Sequence, residues 1–173
     1  KSPLCNPLIR QVKILIVTDV PCWHPVRGSS RRIASLIASL AKSHTVTACL
    51  INQMSIEEWA TASQFMPVPV CGPGQPGRPA MMLHRIASQL GLRKAGQHPD
   101  AGHEKKPPGE NQGRPARLRD FRSATIGDYV AGLVRKRGFD IVLIEYVSLA
   151  WLAERIRQDS PAVRTVIDTH DVM

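Results

Sequence analysis

The chain has 173 residues, 43% of them hydrophobic, which is enough for one domain with a core of its own. Its four cysteines, Cys5, Cys22, Cys49 and Cys71, form no C-x-x-C, which excludes a dense disulfide framework or a zinc site of the usual spacing, and no apolar run approaches the roughly 20 residues of a membrane span. The net charge of +9, from 23 Lys and Arg against 14 Asp and Glu, points to an anionic partner: nucleic acid, a membrane surface or a phosphorylated ligand.

The opening "KSPLCNPLIRQ", residues 1–11, reads as a tail. It has no hydrophobic stretch of its own, so it is not a signal peptide, and the cysteine usage fits a reducing cytoplasm. "VKILIVTDV" follows as a continuous β-branched apolar run, the pattern of a parallel strand buried on both faces, expected over Val12–Thr18. Next comes a helix with Ile33, Leu36, Ile37 and Leu40 on one stripe, Ser29 or Ser30 as its N-cap and Gly28 in the turn before it. "TVTACLI", Thr45–Ile51, is a second strand, and strand, helix and strand together form a βαβ unit.

"SIEEWATASQFM" starts with a capping box, Ser55 with Glu58, and predicts a short helix. "PVPVC" is a short edge strand, because its prolines exclude a central place. "PAMMLHRIASQLG" has a helical pattern that stops at Gly91. Residues 93–117 hold almost no large apolar residues and many Pro, Gly and charges, and are expected to form a disordered insertion. Regular pattern returns with a helix that stacks Ile126, Tyr129, Val130, Leu133 and Val134 and ends at Gly138. A buried strand over Asp140–Glu145, a short helix with Leu149, Leu152, Ala153 and Ile156 inward, and a last strand over Arg164–Asp168 complete the series. Alternating strands and helices predict an α/β, Rossmann-like parallel sheet with helices on both faces, the first strand central, and residues 12–173 as a single domain.

In such sheets ligands bind beyond the carboxyl ends of the strands. Three tips are polar: Thr18 and Asp19 leading to Gly28, Glu145 with Tyr146, and Asp168 to Asp171. A helix N-terminus offers free N–H groups and partial positive charge for a phosphate, and Arg31 and Arg32 add cationic donors. The alternative is a plain turn at Gly28 with arginines that are solvated or paired with acids. His170 is placed to meet ligand, or else to pair with Asp168 or Asp171. Glu145 lines the cleft or accepts a local N–H. No histidine pair has metal-ligand spacing.

The order "ILIVTDVP", "RGSSRRIASLIASLAKSHTVTACLI", "FDIVLIEYVSLAWLA" and "VRTVIDTHDV" resembles the amino-terminal domain of the retaining family 4 glycosyltransferases, which have the two-domain GT-B fold. Within that family it is nearest the sugar transferases of bacterial exopolysaccharide synthesis. The resemblance spans Val12 to Met66 and Phe121 to Met173. It implies that Gly28 sits near a donor diphosphate with Arg31 or Arg32, that His170 is the catalytic histidine beside the transferring sugar, and that Asp19, Glu145 and Asp171 line the cleft. Its departures are a single loop glycine where many members have two, and Ser43-His44 where Gly-His is common. The paired glutamates of the family's nucleotide-sugar domain, E-x7-E, do not occur, since Glu145 and Glu154 are one residue too far apart.

The implied function is therefore the acceptor-side domain of a nucleotide-sugar-dependent glycosyltransferase, with the carboxyl-terminal domain absent and the chain inactive alone. Its partners would be a nucleotide-diphosphate sugar, a glycan or lipid-linked acceptor and an anionic membrane surface at the inner face. No cofactor, metal or sequence-specific nucleic acid is expected; there is no D-x-D pair and no recognition-helix pattern. The rival is a non-catalytic α/β module that binds a phosphorylated or anionic partner. A receiver-like domain would need clustered acids at the strand ends, which Asp19 alone does not provide.

Overall fold

The computed structural model describes residues 11–23, 28–76, 82–83, 86–87 and 123–169. Five parallel strands form one sheet: β1 (Lys13–Thr18), β2 (Thr45–Leu50), β3 (Val70–Cys71), β4 (Ile141–Glu145) and β5 (Arg164–Asp168). Their order is β3-β2-β1-β4-β5, so β1 is central and the strand order reverses between β1 and β4. Helices accompany them at α1 (Gly28–Leu40), α2 (Ile56–Phe65), α3 (Ala124–Arg137) and α4 (Trp151–Asp159), with a 3₁₀ turn at Val147–Leu149 before the last. This is an α/β, Rossmann-like fold.

The apolar run of β1 is continuous because both of its faces are covered. Ile14 and Ile16 turn toward α1 and α2, where they meet Ile33, Ile37 and Ala62. Leu15 and Val17 turn the other way, against Val130 and Val134 of α3 and Leu152 and Ile156 of α4. All of these are buried, and each large aliphatic side chain so placed contributes about 1.5–3 kcal/mol. The α1 stripe is narrower than its spacing implies: Ile33 and Ile37 are buried, while Leu36 and Leu40 are half-buried.

The ends of these elements follow local chemistry. Ser55 and Glu58 form the capping box of α2, with Ser55 Oγ accepting from Glu58 N–H at 3.2 Å and Glu58 Oε2 accepting from Ser55 N–H at 2.8 Å. α3 starts at N-cap Ser123 and stops at Gly138, which takes the left-handed conformation at φ 62° behind Arg135, Lys136 and Arg137. One expectation is corrected. α1 starts at Gly28, so Ser29 and Ser30 lie inside its first turn and neither is the N-cap. The helix has nearly a full turn more chain at its amino end than the serines suggested. Of the helix expected around "PAMMLHRIASQLG", only 82–83 and 86–87 are described, and these are helical. The insertion expected at 93–117 lies outside the described residues.

β3 is an edge strand of two residues, as its flanking prolines require. Its exit is tight. A Cβ on Gly72 would lie 2.2 Å from the Leu50 carbonyl oxygen and 3.3 Å from the buried Trp59 ring. Gly72→Ala is therefore expected to lower stability by about 2 kcal/mol through forced displacement of β3. Urea unfolding measures it, and a loss below about 0.5 kcal/mol, the scale of an ordinary surface substitution, would show that β3 yields freely. At the opposite edge, Val166 and Ile167 of β5 are 48% and 39% exposed.

Candidate functional site

The site lies at the carboxyl ends of the strands, beside the point where strand order reverses. Thr18 and Asp19 end β1, Glu145 and Tyr146 end β4, and Asp168 ends β5. α1 leaves β1 and so presents its amino end at the same rim.

Glu145 and Asp168 are direct neighbours in the parallel register. Partners in a parallel pair point to the same face, and here that face carries α1. Two carboxylates side by side at a sheet edge repel, and Glu145 is fully buried. Arg32, one turn into α1, resolves this. Its Nη2 donates to Glu145 Oε2 and its Nη1 to Asp168 Oδ2, both at 2.5 Å. One planar guanidinium thus joins the first turn of α1 to the tips of β4 and β5. Burial alone would lower the Arg32 pKa, and its two carboxylates more than reverse that, holding it above the ordinary arginine value.

The rest of the rim is fixed by backbone bonds. The Thr18 hydroxyl accepts from Val20 N–H at 3.0 Å, and the Asn52 side-chain amide donates to the Asp19 carbonyl at 2.6 Å. Tyr146 N–H donates to the Asp168 carbonyl at 2.9 Å. Tyr146 has φ 76°, the one non-glycine residue with positive φ among the described residues. A conformation of this kind costs about 1–3 kcal/mol and persists only where its surroundings enforce it.

Arg32, Glu145 and Asp168 are therefore brought together, with Asp19 on the neighbouring tip. Of the arginine pair, Arg32 lies across the strand tips and Arg31 is exposed. With two acids on Arg32, the cluster carries a formal charge of −1. Gly28 is exposed, and a Cβ added to it meets nothing within 4 Å among the described residues. Gly28→Ala should consequently leave stability unchanged or raise it by up to about 1 kcal/mol, which urea unfolding can check. His170 and Asp171 lie outside the described residues, two and three positions beyond Asp168. Among the described residues no group of three His, Cys, Asp or Glu side chains has a metal-binding arrangement. Nor is any described helix long and apolar enough to cross a membrane.

The pairing of Asp168 with Arg32 was missed in the sequence, where Asp168 stood as part of a polar tip and as a neighbour for His170. Its signal was positional: two acids ending adjacent parallel strands need a cation on the same face, and α1 supplies it.

No protein-family model matches the chain, and no curated protein matches it. Among solved structures, it is similar to an O-ureido-L-serine synthase bound to O-ureido-L-serine, with 15% identity, a TM-score of 0.24 and coverage of 91% of this chain. The chain spans 43% of the length of that protein. A likeness this low carries no argument about function.

Proposed function

We propose that this chain is the acceptor-side, amino-terminal domain of a nucleotide-sugar-dependent glycosyltransferase of the GT-B type. The observation that carries the reading is the rim where the strand order reverses, at which the amino end of α1 meets the tips of β1, β4 and β5; Arg32, paired with acids as the alternative for the arginine pair had it, fixes that rim rather than binding phosphate. The order of motifs that resembles family 4 supports it, and Asp19, Gly28, Arg32 and Glu145 of those motifs lie at this end of the sheet. In the proposed enzyme a second Rossmann-like domain holds the nucleotide. The amino end of α1 and Arg31 stabilise negative charge as the diphosphate departs, and His170 lies beside the sugar. Asp19, Glu145 and Asp171 shape the acceptor side of the cleft. The acceptor is a glycan or a lipid-linked sugar, and the net charge of +9 favours work beside an anionic membrane face.

The test joins the chain to the nucleotide-sugar domain of a family 4 enzyme and follows transfer from labelled nucleotide-diphosphate sugars. Transfer by the two-domain protein and none by the isolated chain is the expected result. In half a cleft the diphosphate stays in water, where each charge interaction is weak. If the isolated chain turns over donor at about 1–10³ s⁻¹, the ordinary range for enzymes, the proposal of an incomplete half is wrong. Binding of phosphorylated ligand with no transfer in any two-domain form would favour a non-catalytic module instead.

A further inference from the structure

Away from the rim, the cysteines that are far apart in sequence are not apart in space. Cys49 of β2 and Cys71 of β3 are direct partners in the parallel register. Both are buried, free thiols on the α3–α4 face of the sheet. The Cys71 S–H donates to the Ala48 carbonyl at 3.5 Å, and Tyr129 of α3 packs against the same cluster. Arg137, in the last turn of α3, acts electrostatically on both. The titratable and charged groups facing the pair from the described elements are thus Tyr129 and Arg137.

We infer that Cys49 and Cys71 form a peroxide-oxidisable dithiol that reversibly cross-links β3 to β2. Neighbouring strands are about 4.8 Å apart, which lies inside the Cα separation of about 4.4–6.8 Å that a disulfide accepts. Side chains on parallel partners run side by side rather than toward one another, so closing the bond draws β3 inward. A disulfide formed at that cost is readily reduced, the property of a reversible bridge rather than a structural one. Access follows from the fold. β3 is two residues long, lies at the edge and is backed by the exposed Arg137, so local opening admits a molecule as small as a peroxide.

The roles of the two sulfurs differ. Cys71 lies on the two-residue edge strand and Cys49 on β2 behind it, so a peroxide entering as β3 opens meets the Cys71 sulfur first. The neighbouring Cys71 and burial hold the Cys49 thiol well above its ordinary value. Cys71 is therefore the attacking sulfur. Its sulfur displaces hydroxide from hydrogen peroxide; the hydroxide takes a proton and leaves as water, and Cys71 becomes a sulfenic acid. The Cys49 sulfur then attacks the Cys71 sulfur, its S–H proton leaves with the expelled hydroxyl as a second water, and the S–S bond forms. Two thiols and one peroxide give one disulfide and two waters.

The experiment treats the folded chain with hydrogen peroxide, alkylates remaining thiols with N-ethylmaleimide in denaturant, and maps the peptides by mass. The expected product is a peptide pair joined through Cys49 and Cys71 that dithiothreitol separates. In Cys49→Ser the sulfenic acid should persist on Cys71 and be trapped by dimedone, with at least several-fold more label than Cys49 takes in Cys71→Ser. Complete alkylation of both thiols after peroxide, or cross-links that join Cys5 or Cys22 instead, would overturn the inference. Equal dimedone labelling of the two single variants would overturn the assignment of Cys71 as the attacking sulfur.

Discussion

Replacing Arg32 by methionine is expected to lower stability by about 3 kcal/mol, the low end of the range for removing one partner of a buried ion pair. Methionine keeps the apolar stem of the side chain and removes only the cation. Glu145, which is 0% exposed, and Asp168, its neighbour in the register, are then left side by side without the charge that bridged them. The low end is appropriate because the Arg32 side chain is itself 26% exposed and water can enter the gap. Arg32→Lys should recover only part of the loss, since a point charge cannot meet two carboxylates with the planar fork of a guanidinium. Adding Glu145→Gln to Arg32→Met should recover more than half, because a neutral amide at that position no longer calls for a cation. Urea unfolding of the four proteins measures this. A loss below about 1 kcal/mol for Arg32→Met would mean that the bridge behaves as an ordinary surface pair.

In a two-domain enzyme, His170→Ala is expected to lower kcat about 100-fold, the scale of removing one positioned donor or acid–base group from the transition state. The expectation follows from the role that the resemblance to family 4 implies for His170. Asp168 is held by Arg32, and its carbonyl is held by Tyr146, so the chain enters the segment containing His170 from a fixed point. Gly28→Trp in the same enzyme should act differently. A Cβ on Gly28 meets none of the described residues within 4 Å, and under the proposed function a ring there would stand between a diphosphate and the α1 amides. Its effect should be a raised KM for donor with stability unchanged. Steady-state kinetics with varied nucleotide sugar separates the two. Indifference of the completed enzyme to both substitutions would place the site elsewhere.

Much of the fold was legible because its signals are local. The runs "KILIVT" and "IVLIE" are unbroken by polar residues, which a strand buried on both faces requires, and their limits match the structure to within a residue. Ser55 with Glu58, and Gly138, mark helix ends through hydrogen bonds that span only a few residues. The start of α1 was misplaced because serine is also tolerated inside a first turn, where nothing in the spacing distinguishes it from a cap. What the sequence could not show depends on strand register. The meeting of Arg32 with Asp168 joins residues 136 positions apart, and the pairing of Cys49 with Cys71 needs β3 to sit in one alignment on β2. Neither follows from periodicity. Both need the order β3-β2-β1-β4-β5 together with its register.

The proposal stands or falls on whether a nucleotide-diphosphate sugar meets this rim. The direct measurement is an amide NMR titration of the chain with UDP- and GDP-sugars, followed at low ionic strength. The account predicts weak, salt-sensitive shifts concentrated at Gly28 to Arg32, Asp19, Glu145 and Asp168, and no consumption of donor. Shifts confined to another face, or no shift at these residues at millimolar donor, would contradict it.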